Sequence, residues 1–523
     1  MTGPGPASDA RVRIGVIGAG AMGAGIALVA ARAGHEVGLF DSSDDALERA
    51  TREIEERLRR EVARDRLTNA EAEAIDARVH PLGSVSDLAG TGLVVEAIVE
   101  DLATKQALFQ QLEDIVDPTT LLATNTSSLS VTAIAGALQR PERVIGMHFF
   151  NPPAVMPLVE VVRGEASADA VVDRVVSLAA NWGKTPVVCT STPGFIVNRV
   201  ARPFYGEALR LLAEGTANAP TIDAVVREAG GFRMGPLELM DLIGIDINLA
   251  VSKSVYEQTF HDSRFAPSVV QQSMVDAGRL GRKTGSGFYR YQEGDPDSPR
   301  VGTYVAVTDR QVPAVRVVGD LRHAAGLVPR LEAGGVPVER ASDSSSFGYL
   351  VVGDTLVAPT DGRTATSLQA AGVLAGSRVV VIDLARDWAK TGRVAAAQAD
   401  GVDADTGSGS PLQDLARVLG AASIDVAPVD DTPGLVLMRI MVQLASVAAD
   451  AAAIGVAAPA DIDLAMRTGT NYPEGPLEWT ARIGAGTVVS VLDHMREHYR
   501  EERYRVAANL RRAALTNSDP KEG

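Results

Sequence analysis

The feature that most constrains this chain is an internal repeat whose two copies lie 240 positions apart. Thr192-Pro193-Gly194 recurs as Thr432-Pro433-Gly434, and Gly235-Pro236-Leu237-Glu238 recurs as Gly475-Pro476-Leu477-Glu478. Three further matches keep the same spacing: Arg199 with Arg439, Ile222-Asp223 with Ile462-Asp463, and Ile243-Gly244 with Ile483-Gly484. Because chance does not hold one spacing without gaps over about fifty residues, the sequence predicts a duplicated domain.

Each copy of the repeat is mostly helical and follows a segment in which short apolar strands alternate with helical stretches. RVRIGVIG, HEVGLFD, GLVVEAI, TLLATN and RVIGMHFF are strand-like in the first half, and AVRVVG, FGYLVVG, SRVVVID and SIDVAPV in the second. This alternation is typical of a parallel, doubly wound α/β sheet. A length of 523 residues also favours several domains. We therefore predict two related halves, each an α/β segment followed by an all-α helical domain.

Composition excludes several classes of function. The net charge is −16, and no Lys/Arg block resembles a nucleic-acid footprint, so a nucleic-acid partner is not expected. No apolar run reaches about 18 residues, so no membrane span is predicted. Cys189 is the single cysteine, which rules out an intrachain disulfide and suits a reducing cytoplasm. The N-terminus lacks the apolar core of a signal peptide. No metal site is predicted.

A dinucleotide-binding turn is predicted where the first strand ends. Gly18, Gly20 and Gly23 form a G-x-G-x-x-G pattern that follows a strand and opens a helix. The first glycine makes the tight turn, the second lets the pyrophosphate approach the backbone, and the third lets helix and strand pack closely. The alternative is a glycine-rich turn without a ligand. The motif and its context favour a Rossmann-type domain.

Asp41 strengthens the cofactor prediction. It ends the second strand, close to the spacing of about 20 residues expected for the acid that holds the ribose 2′-hydroxyl. A carboxylate there would repel a 2′-phosphate, so NAD is favoured over NADP. The alternative is a turn or helix-capping acid, since Ser42 and Ser43 follow.

His148 and Glu160 are the candidate catalytic pair. His148 ends the apolar strand VIGMHFF, at the edge of the sheet where doubly wound folds bind ligands. Glu160 lies twelve positions later in the apolar run PLVEVV, and a buried carboxylate needs a partner. The pair would form a general base oriented by a carboxylate. Spacing alone leaves open a core histidine and an unrelated, ion-paired glutamate.

The sequence resembles the 3-hydroxyacyl-CoA dehydrogenase family over residues 12–292. The stretches that carry the resemblance occur in the family's order: VIGAGAMGAGIA, LVVEAIVEDLATK, ATNTSSLSV, HFFNPPAVMPLVEVV, TPGFIVNRV, GPLELMDLIGID and GRKTGSGFYRY. The resemblance implies NAD-dependent, reversible oxidation of a 3-hydroxyacyl thioester of coenzyme A, chemistry used in β-oxidation. It further implies a Rossmann-type domain at 11–190 and a helical domain at 191–292.

The resemblance also assigns roles to individual residues. His148 matches the catalytic base, Glu160 the residue that orients it, Ser127 a residue that holds the substrate oxygen, and Asn198 a residue lining the reacting centre. Positions that contact or flank NAD correspond to Asp41, Glu100, Lys105, Ser127, Asn151 and Lys283. For Lys105 and Lys283 the alternative is a solvated surface lysine, and for Ser127 it is a turn or cap.

The second half departs from the family pattern. Leu321 and Ala324 stand where the second and third glycines belong, no second HFFNP exists, and Met438 replaces Asn198. We predict a degenerate, non-catalytic α/β segment at 310–429, with a linker at 293–300, and a second helical copy at 430–515. Short family members pair through their helical domains, so the duplication implies an internal pseudo-dimer, with a homodimer also open. Long bacterial relatives include enzymes of phenylacetate breakdown acting on 3-hydroxyadipyl-CoA, and others acting on 3-hydroxybutyryl-CoA.

Three other interpretations stay open. The chain could be a dehydrogenase of a free β-hydroxy acid, although such enzymes usually use a catalytic lysine in the helical domain. It could be a non-enzymatic protein like the lens crystallins recruited from this superfamily, but His148 and Glu160 are both intact. The second half could bind a separate ligand or partner.

Overall fold

The structure of the protein is a computed structural model. It describes residues 12–292, 295–296, 302–307, 311–341, 347–374, 378–400 and 410–516. The predicted linker 293–300 lies outside these residues, apart from the backbone of Asp295–Pro296. The described chain divides into two compact units. Unit 1 contains the residues up to Val197 together with Gly455–Thr470, and unit 2 contains Asn198–Ile454 and the residues from Asn471 onward.

Unit 1 is built on an eight-stranded sheet with the strand order β3-β2-β1-β4-β5-β6-β7-β8. All neighbouring strands are parallel except β6 and β7. The strands are β1 Ile14–Ile17, β2 Val37–Phe40, β3 Val79–Pro81, β4 Leu93–Glu96, β5 Leu121–Thr124, β6 Val144–Phe149, β7 Leu158–Arg163 and β8 Thr185–Thr190. The helices among them are α1 Ala21–Arg32, α2 Asp44–Val62, α3 Asn69–Asp76, α4 Leu102–Ile115, α5 Val131–Ala135 and α6 Asp169–Asn181.

The strand order explains where a ligand-binding crevice forms. From β1 the sheet is extended on one side by β2 and β3 and on the other side by β4 and the later strands. The strand order therefore reverses beside β1. In such sheets the crevice lies beyond the carboxyl ends of the strands at this switch point. The central strands are buried on both faces, as their unbroken apolar sequences predict.

A helix of the second helical copy completes unit 1. Helix α17, Pro459–Thr470, packs against β7 and β8. The peptide N–H of Thr190, the last residue of β8, donates to the carbonyl oxygen of Val456 at 2.9 Å. The eight-stranded sheet of unit 1 is therefore covered at β7 and β8 by a helix that lies more than 260 residues later in the chain.

Unit 2 contains a seven-stranded sheet with the order β12-β11-β13-β14-β15-β16-β17. Its strands are β11 Val315–Val318, β12 Val338–Arg340, β13 Tyr349–Val352, β14 Thr355–Pro359, β15 Val379–Ile382, β16 Arg393–Gln398 and β17 Asp425–Pro428. Strand β13 runs antiparallel to both β11 and β14, and a hairpin joins β13 to β14. In unit 1 the corresponding strands β4 and β5 are parallel and joined through α4, so the second sheet is a reduced version of the first.

Helices make up the rest of unit 2. The first helical copy has α7 Val197–Val200, which begins in unit 1, then α8 Arg202–Ala213, α9 Ala219–Glu228, α10 Pro236–Ile243, α11 Ile245–Gln258 and α12 Val269–Asp276. A two-residue ribbon, β9 Tyr291–Gln292 with β10 Asp295–Pro296, ends it. The second half adds α13 Leu327–Ala333, α14 Ala365–Ala370, α15 Pro411–Ala421, α16 Leu437–Ala453, α18 Pro476–Ile483, α19 Ala485–Tyr499 and α20 Ala508–Thr516.

Helix α9 of the first copy packs on the second sheet just as α17 packs on the first. It lies against β16, and the N–H of Asp430 donates to the carbonyl oxygen of Thr216 at 2.9 Å. Asp430 lies 240 positions after Thr190, and Thr216 lies 240 positions before Val456, so the same hydrogen bond occurs in both halves. Each helical copy thus contributes one helix to the α/β sheet of the other half.

The two helical copies also pack on each other through α8 and α16. Arg439 of α16 is fully buried there and donates to Glu207 Oε2 at 2.7 Å and to both carboxylate oxygens of Glu214 at 2.7 and 2.9 Å. The hydroxyl oxygens of Tyr499 and Tyr504 accept its remaining N–H groups at 2.9 and 3.0 Å. Such a buried charge is tolerated because every donor has a partner.

The architecture confirms the predicted fold class, an N-terminal Rossmann-type α/β domain with helical domains and a degenerate second α/β segment. The four predicted domain boundaries stay predictions. Among the described helices, none is both long and apolar enough to span a membrane.

Replacing Arg439 by methionine should destabilise unit 2 by about 3–5 kcal/mol, because it leaves the carboxylates of Glu207 and Glu214 without their buried cation. Urea denaturation of the full chain measures this as a lower transition midpoint. The matched control is Arg511→Met, which removes an exposed ion pair with Asp493 and should change stability by less than about 1 kcal/mol. Equal midpoints for the two variants would contradict the assigned role.

Candidate active site

The glycine turn after β1 has the geometry of a dinucleotide-binding loop. Gly18 has φ +100°, which favours glycine, and a Cβ there would lie 2.4 Å from the carbonyl oxygen of Ala97. A Cβ on Gly23 would lie 1.7 Å from the carbonyl oxygen of Gly18. A Cβ on Gly20 would meet nothing within 4 Å. Two of the glycines are therefore required by the turn itself, whereas Gly20 faces open space at the N-terminus of α1, where a pyrophosphate would approach.

Asp41 lies beside this turn, just after β2. Its Oδ2 accepts a hydrogen bond from the N–H of Ala19 at 2.7 Å, and its Oδ1 accepts one from the N–H of Ser43 at 2.9 Å. Ser43 in turn caps α2. The carboxylate thus forms the turn that the alternative interpretation predicted. It also ties the glycine loop to the end of β2, at the place expected for a ribose-binding acid.

These contacts separate the roles of two glycines experimentally. Gly20→Ala should leave the thermal midpoint within about 2 °C of the wild type and weaken NADH binding at least tenfold, since the methyl group enters only the ligand's space. Gly23→Ala should instead lower the thermal midpoint, because its methyl group collides with backbone. Thermal scans and NADH fluorescence titration test both. Unchanged NADH affinity in Gly20→Ala would contradict the assignment of Gly20 to the pyrophosphate-binding position.

A buried chain of charges follows the end of β4. Glu96 is fully buried and accepts from Lys105 Nζ at 2.5 Å, from Thr124 Oγ1 at 2.7 Å and from the N–H of Ile98 at 2.7 Å. Lys105 is 1% exposed and also pairs with Glu100 at 3.3 Å. The alternative of a solvated Lys105 is therefore wrong. Sequence reasoning missed Glu96, although an acid inside the apolar run LVVEAI was a signal for it.

Glu100 organises the loop that carries Ser127. Its Oε1 accepts from Thr126 Oγ1 at 2.6 Å and from the N–H groups of Ser127 and Ser128 at 2.9 and 3.0 Å. Burial raises the pKa of Glu100, but these hydrogen bonds and the charge of Lys105 outweigh it, and the pKa is lowered. Glu100 is thus an ionised anchor that positions the backbone of Ser127. The structure brings Glu100, Lys105 and Ser127 together, and their contact with NAD stays a prediction.

His148 and Glu160 form a buried pair on neighbouring antiparallel strands. They stand directly opposite each other in the β6–β7 register, and Glu160 Oε2 lies 2.6 Å from His148 Nδ1. Oε1 of Glu160 accepts the N–H groups of Ile196 and Val197 at 3.0 and 2.9 Å, at the start of α7. Phe150 and Phe195 pack beside the imidazole, with ring centroids 4.6 and 5.7 Å away.

This pairing determines which imidazole nitrogen is basic. A carboxylate can only accept a hydrogen bond, so the proton of neutral His148 lies on Nδ1 and the lone pair on Nε2. Glu160 also stabilises the imidazolium that forms when Nε2 takes a proton. The arrangement therefore has the chemistry of an oriented general base. The alternative of an unrelated histidine and glutamate does not agree with the 2.6 Å contact.

The remaining predicted residues lie around this end of the sheet or in unit 2. Asn151 is exposed just after β6, and the side-chain oxygen of Asn125, which sequence reasoning missed, accepts the N–H of Phe149 at 2.9 Å. Asn198 follows Val197 directly in sequence and is the first residue of unit 2. Lys283, also in unit 2, is partly exposed and pairs with Asp246 at 2.6 Å.

The second half lacks a counterpart of the His148–Glu160 pair, but a buried carboxylate still accepts the N–H groups at the start of the following helix. By strand register, Asp383 stands where His148 stands in the first sheet, and Ala395 stands where Glu160 stands. The carboxylate of Asp383 accepts the N–H groups of Val436, Leu437 and Met438 at 2.7–3.0 Å. The helix start is therefore still capped by a buried carboxylate, whereas no imidazole is present at this position.

The glycine turn is also altered in the second half. Gly319 keeps a positive φ of +67° after β11, as Gly18 does after β1. Leu321, at the position of Gly20, is 4% exposed and packs in the hydrophobic core of the second sheet, so this position carries a buried side chain where Gly20 has none. Ala324 replaces Gly23 and lies in a short 3₁₀ turn instead of the first turn of a long helix. This turn lacks the form required for pyrophosphate binding.

Comparison with protein families covers most of the chain. Residues 13–192 match the family model described as 3-hydroxyacyl-CoA dehydrogenase, NAD binding domain. Residues 194–291 and 434–521 both match the model of the 3-hydroxyacyl-CoA dehydrogenase C-terminal domain. Residues 357–433 match the model described as 3-hydroxybutyryl-CoA dehydrogenase reduced Rossmann-fold domain.

Similar proteins extend over the same regions. The 3-hydroxyadipyl-CoA dehydrogenase of Escherichia coli K12 is 43% identical over 97% of this chain and 98% of its own length. Mitochondrial hydroxyacyl-coenzyme A dehydrogenase of Sus scrofa is 40% identical over 53% of this chain and 90% of its own. The crystal structure of 3-hydroxybutyryl-CoA dehydrogenase from Escherichia coli K12 superposes with a TM-score of 0.86 at 42% identity, covering 97% and 99% of the two chains.

Proposed function

The chain belongs to the 3-hydroxyacyl-CoA dehydrogenase family, and we propose that it catalyses the reversible, NAD-dependent oxidation of a 3-hydroxyacyl-CoA thioester to the 3-oxoacyl-CoA. The observation that carries this proposal is the 2.6 Å contact between His148 Nδ1 and Glu160 at the carboxyl end of β6. It leaves one basic nitrogen at the edge of the sheet where the glycine turn also lies. NAD is the cofactor, and when bound it accepts the hydride from C3 of the substrate.

The residues of this chain perform the proton transfer. His148 Nε2 takes the proton of the 3-hydroxyl group, and Glu160 stabilises the resulting imidazolium by accepting its Nδ1–H. Ser127, held by Glu100, donates a hydrogen bond to the substrate oxygen, and Asn198 stabilises charge that develops on it. In the reverse direction His148 returns the proton to the 3-oxo oxygen. General acid–base catalysis of this kind contributes about 10²–10⁴-fold to the rate.

The cofactor-binding assignment extends over three parts of the site. Gly18, Gly20 and Gly23 hold the pyrophosphate against the N-terminus of α1, and Asp41 binds the ribose hydroxyls. Glu100 and Lys105 shape the loop beside the nicotinamide, together with Ser127 and Asn151. Lys283 is a further position that the resemblance to the family assigns to NAD. The open space at Gly20 and the ionised state of Glu100 support this assignment.

We propose that the chain contains four domains. We assign the NAD-binding domain to 11–190, the first helical domain to 191–292, the degenerate segment to 310–429 and the second helical domain to 430–515. The family matches at 13–192, 194–291, 357–433 and 434–521 support these ranges.

His148→Ala should lower kcat for the reduction of acetoacetyl-CoA by about 10²-fold or more, because the proton donor to the 3-oxo oxygen is lost. Oxidation of NADH measures the rate, and fluorescence titration should show unchanged NADH affinity. The matched control is His498→Ala, an exposed histidine of the second helical copy, which should retain wild-type kcat.

Two outcomes would contradict this assignment. A His148→Ala variant with wild-type kcat would remove the general base. A wild-type enzyme that binds NADH but reduces neither acetoacetyl-CoA nor longer or dicarboxylic 3-oxoacyl-CoAs would favour the dehydrogenase of a free β-hydroxy acid. The related Escherichia coli protein is named for 3-hydroxyadipyl-CoA, so 3-oxoadipyl-CoA is the dicarboxylic substrate to include.

We further propose that the two helical copies form an internal pseudo-dimer in a cytoplasmic enzyme. The packing of α8 on α16 and the buried Arg439 cluster support it. If this pairing replaces dimerisation between chains, sedimentation at micromolar concentration should give one chain mass of 54.8 kDa with full activity. Activity that is lost on dilution, together with a doubled mass, would instead favour an obligate homodimer.

A further inference from the structure

We propose that Gly469, in the second helical copy, is a positioning residue for the catalytic pair of the first half. Through Gly469, helix α17 packs against Leu158, which lies two positions before Glu160 on β7, and against Val197, whose N–H donates to the Glu160 carboxylate. The degenerate half would then contribute to the reaction of the intact half without touching substrate or cofactor. This inference rests on the proposed function.

Gly469 lies where α17 packs tightly against Leu158 of β7 and Val197 of α7. It is buried, and a Cβ at this position would lie 2.5 Å from Leu158 Cδ2 and 3.2 Å from Val197 Cγ2. The Leu158 side chain is fully buried, so it cannot move aside without displacing its own neighbours. An alanine at this position would therefore force the terminal methyl group of Leu158 to shift within the core. The Thr190–Val456 hydrogen bond of 2.9 Å fixes the other end of the segment to β8.

Both residues that Gly469 contacts are linked to Glu160, Leu158 through the backbone of β7 and Val197 through a hydrogen bond. Leu158 is two positions before Glu160 on β7, so the two side chains leave the same face of the strand. The N–H of Val197 donates to Glu160 Oε1 at 2.9 Å. A shift of either residue would move the carboxylate that holds His148 Nδ1 at 2.6 Å. Because misplacement by about 1 Å can cost 10²-fold in rate, this packing controls catalysis.

The corresponding contact in the second half is built differently. Ala229 stands 240 positions before Gly469, and Arg393 corresponds to Leu158 by strand register. Arg393 is ion-paired there with Glu228, with 3.6 Å between Nε and Oε2, and the N–H of Arg386 donates to the Ala229 carbonyl at 2.8 Å. The first half thus has a glycine–leucine contact beside the His148–Glu160 pair, whereas the second half has an alanine and an ion-paired arginine at the same two positions; the adjacent Gly230 still approaches Leu437, the counterpart of Val197, with 3.0 Å between a Cβ there and Leu437 Cδ1.

A pair of matched substitutions tests the inference in the full chain. Gly469→Ala adds one carbon atom at the contact, and Leu158→Val removes one from the opposite side. We expect Gly469→Ala to lower kcat for acetoacetyl-CoA reduction about fivefold to tenfold, with KM and NADH affinity within about twofold of the wild type. The double variant should recover kcat to within about threefold. Ala460→Val, on the exposed part of α17, is the control and should be fully active.

Each outcome decides between interpretations. Wild-type kcat in Gly469→Ala would overturn the positioning role. It would do so even if the thermal midpoint of that variant were higher, because alanine has a greater helix propensity than glycine. Loss of kcat that Leu158→Val does not restore, with KM and NADH binding equally impaired, would also overturn it. A wild-type chain that reduces no 3-oxoacyl-CoA would instead refute the proposed function.

Discussion

The buried carboxylate of Glu160 is the interaction on which the catalytic half depends. An ionised carboxylate inside a protein is costly unless hydrogen bonds replace its water. Glu160 has three protein donors, from His148, Ile196 and Val197, and the residue is fully buried. These donors come from β6 and from the start of α7. One side chain therefore joins two strands of the sheet to the segment that leads into the helical domain, and also orients the imidazole.

The second half separates the structural part of this interaction from the chemical part. The first N–H groups of a helix need acceptors when they are buried, whatever the protein does. In the first half Glu160 supplies that acceptor from β7, and in the second Asp383 supplies it from the end of β15. The second carboxylate occupies the position that an imidazole occupies in the first. Capping of the helix by a buried carboxylate is thus present in both halves, whereas the histidine is present only in the first.

The sequence predicted much of the site because its signals are local. Gly18, Gly20 and Gly23 follow a strand directly, so their spacing predicted the turn. For His148 and Glu160 spacing left two interpretations open, and the resemblance to the family chose the oriented pair. The burial of Lys105 between Glu96 and Glu100 was not predicted, because it depends on how α4 packs under the end of β4. The hairpin from β13 to β14 was also missed. Short apolar strands have the same sequence pattern in parallel and antiparallel sheets.

The sequence could not predict the exchange of helices between the two halves. Because of this exchange, the sheet of the first half depends on a helix from the half that lacks the His148–Glu160 pair. The repeat showed that α9 and α17 correspond, but an apolar helix face does not specify which of two similar sheets it covers. In the structure α17 packs on β7 and β8, and α9 packs on β16. Loss of the second helical copy would therefore uncover the strand that carries Glu160 and remove the partner of Thr190. The sheet that carries His148 and Glu160 thus depends on α17, a helix of the half in which neither residue has a counterpart.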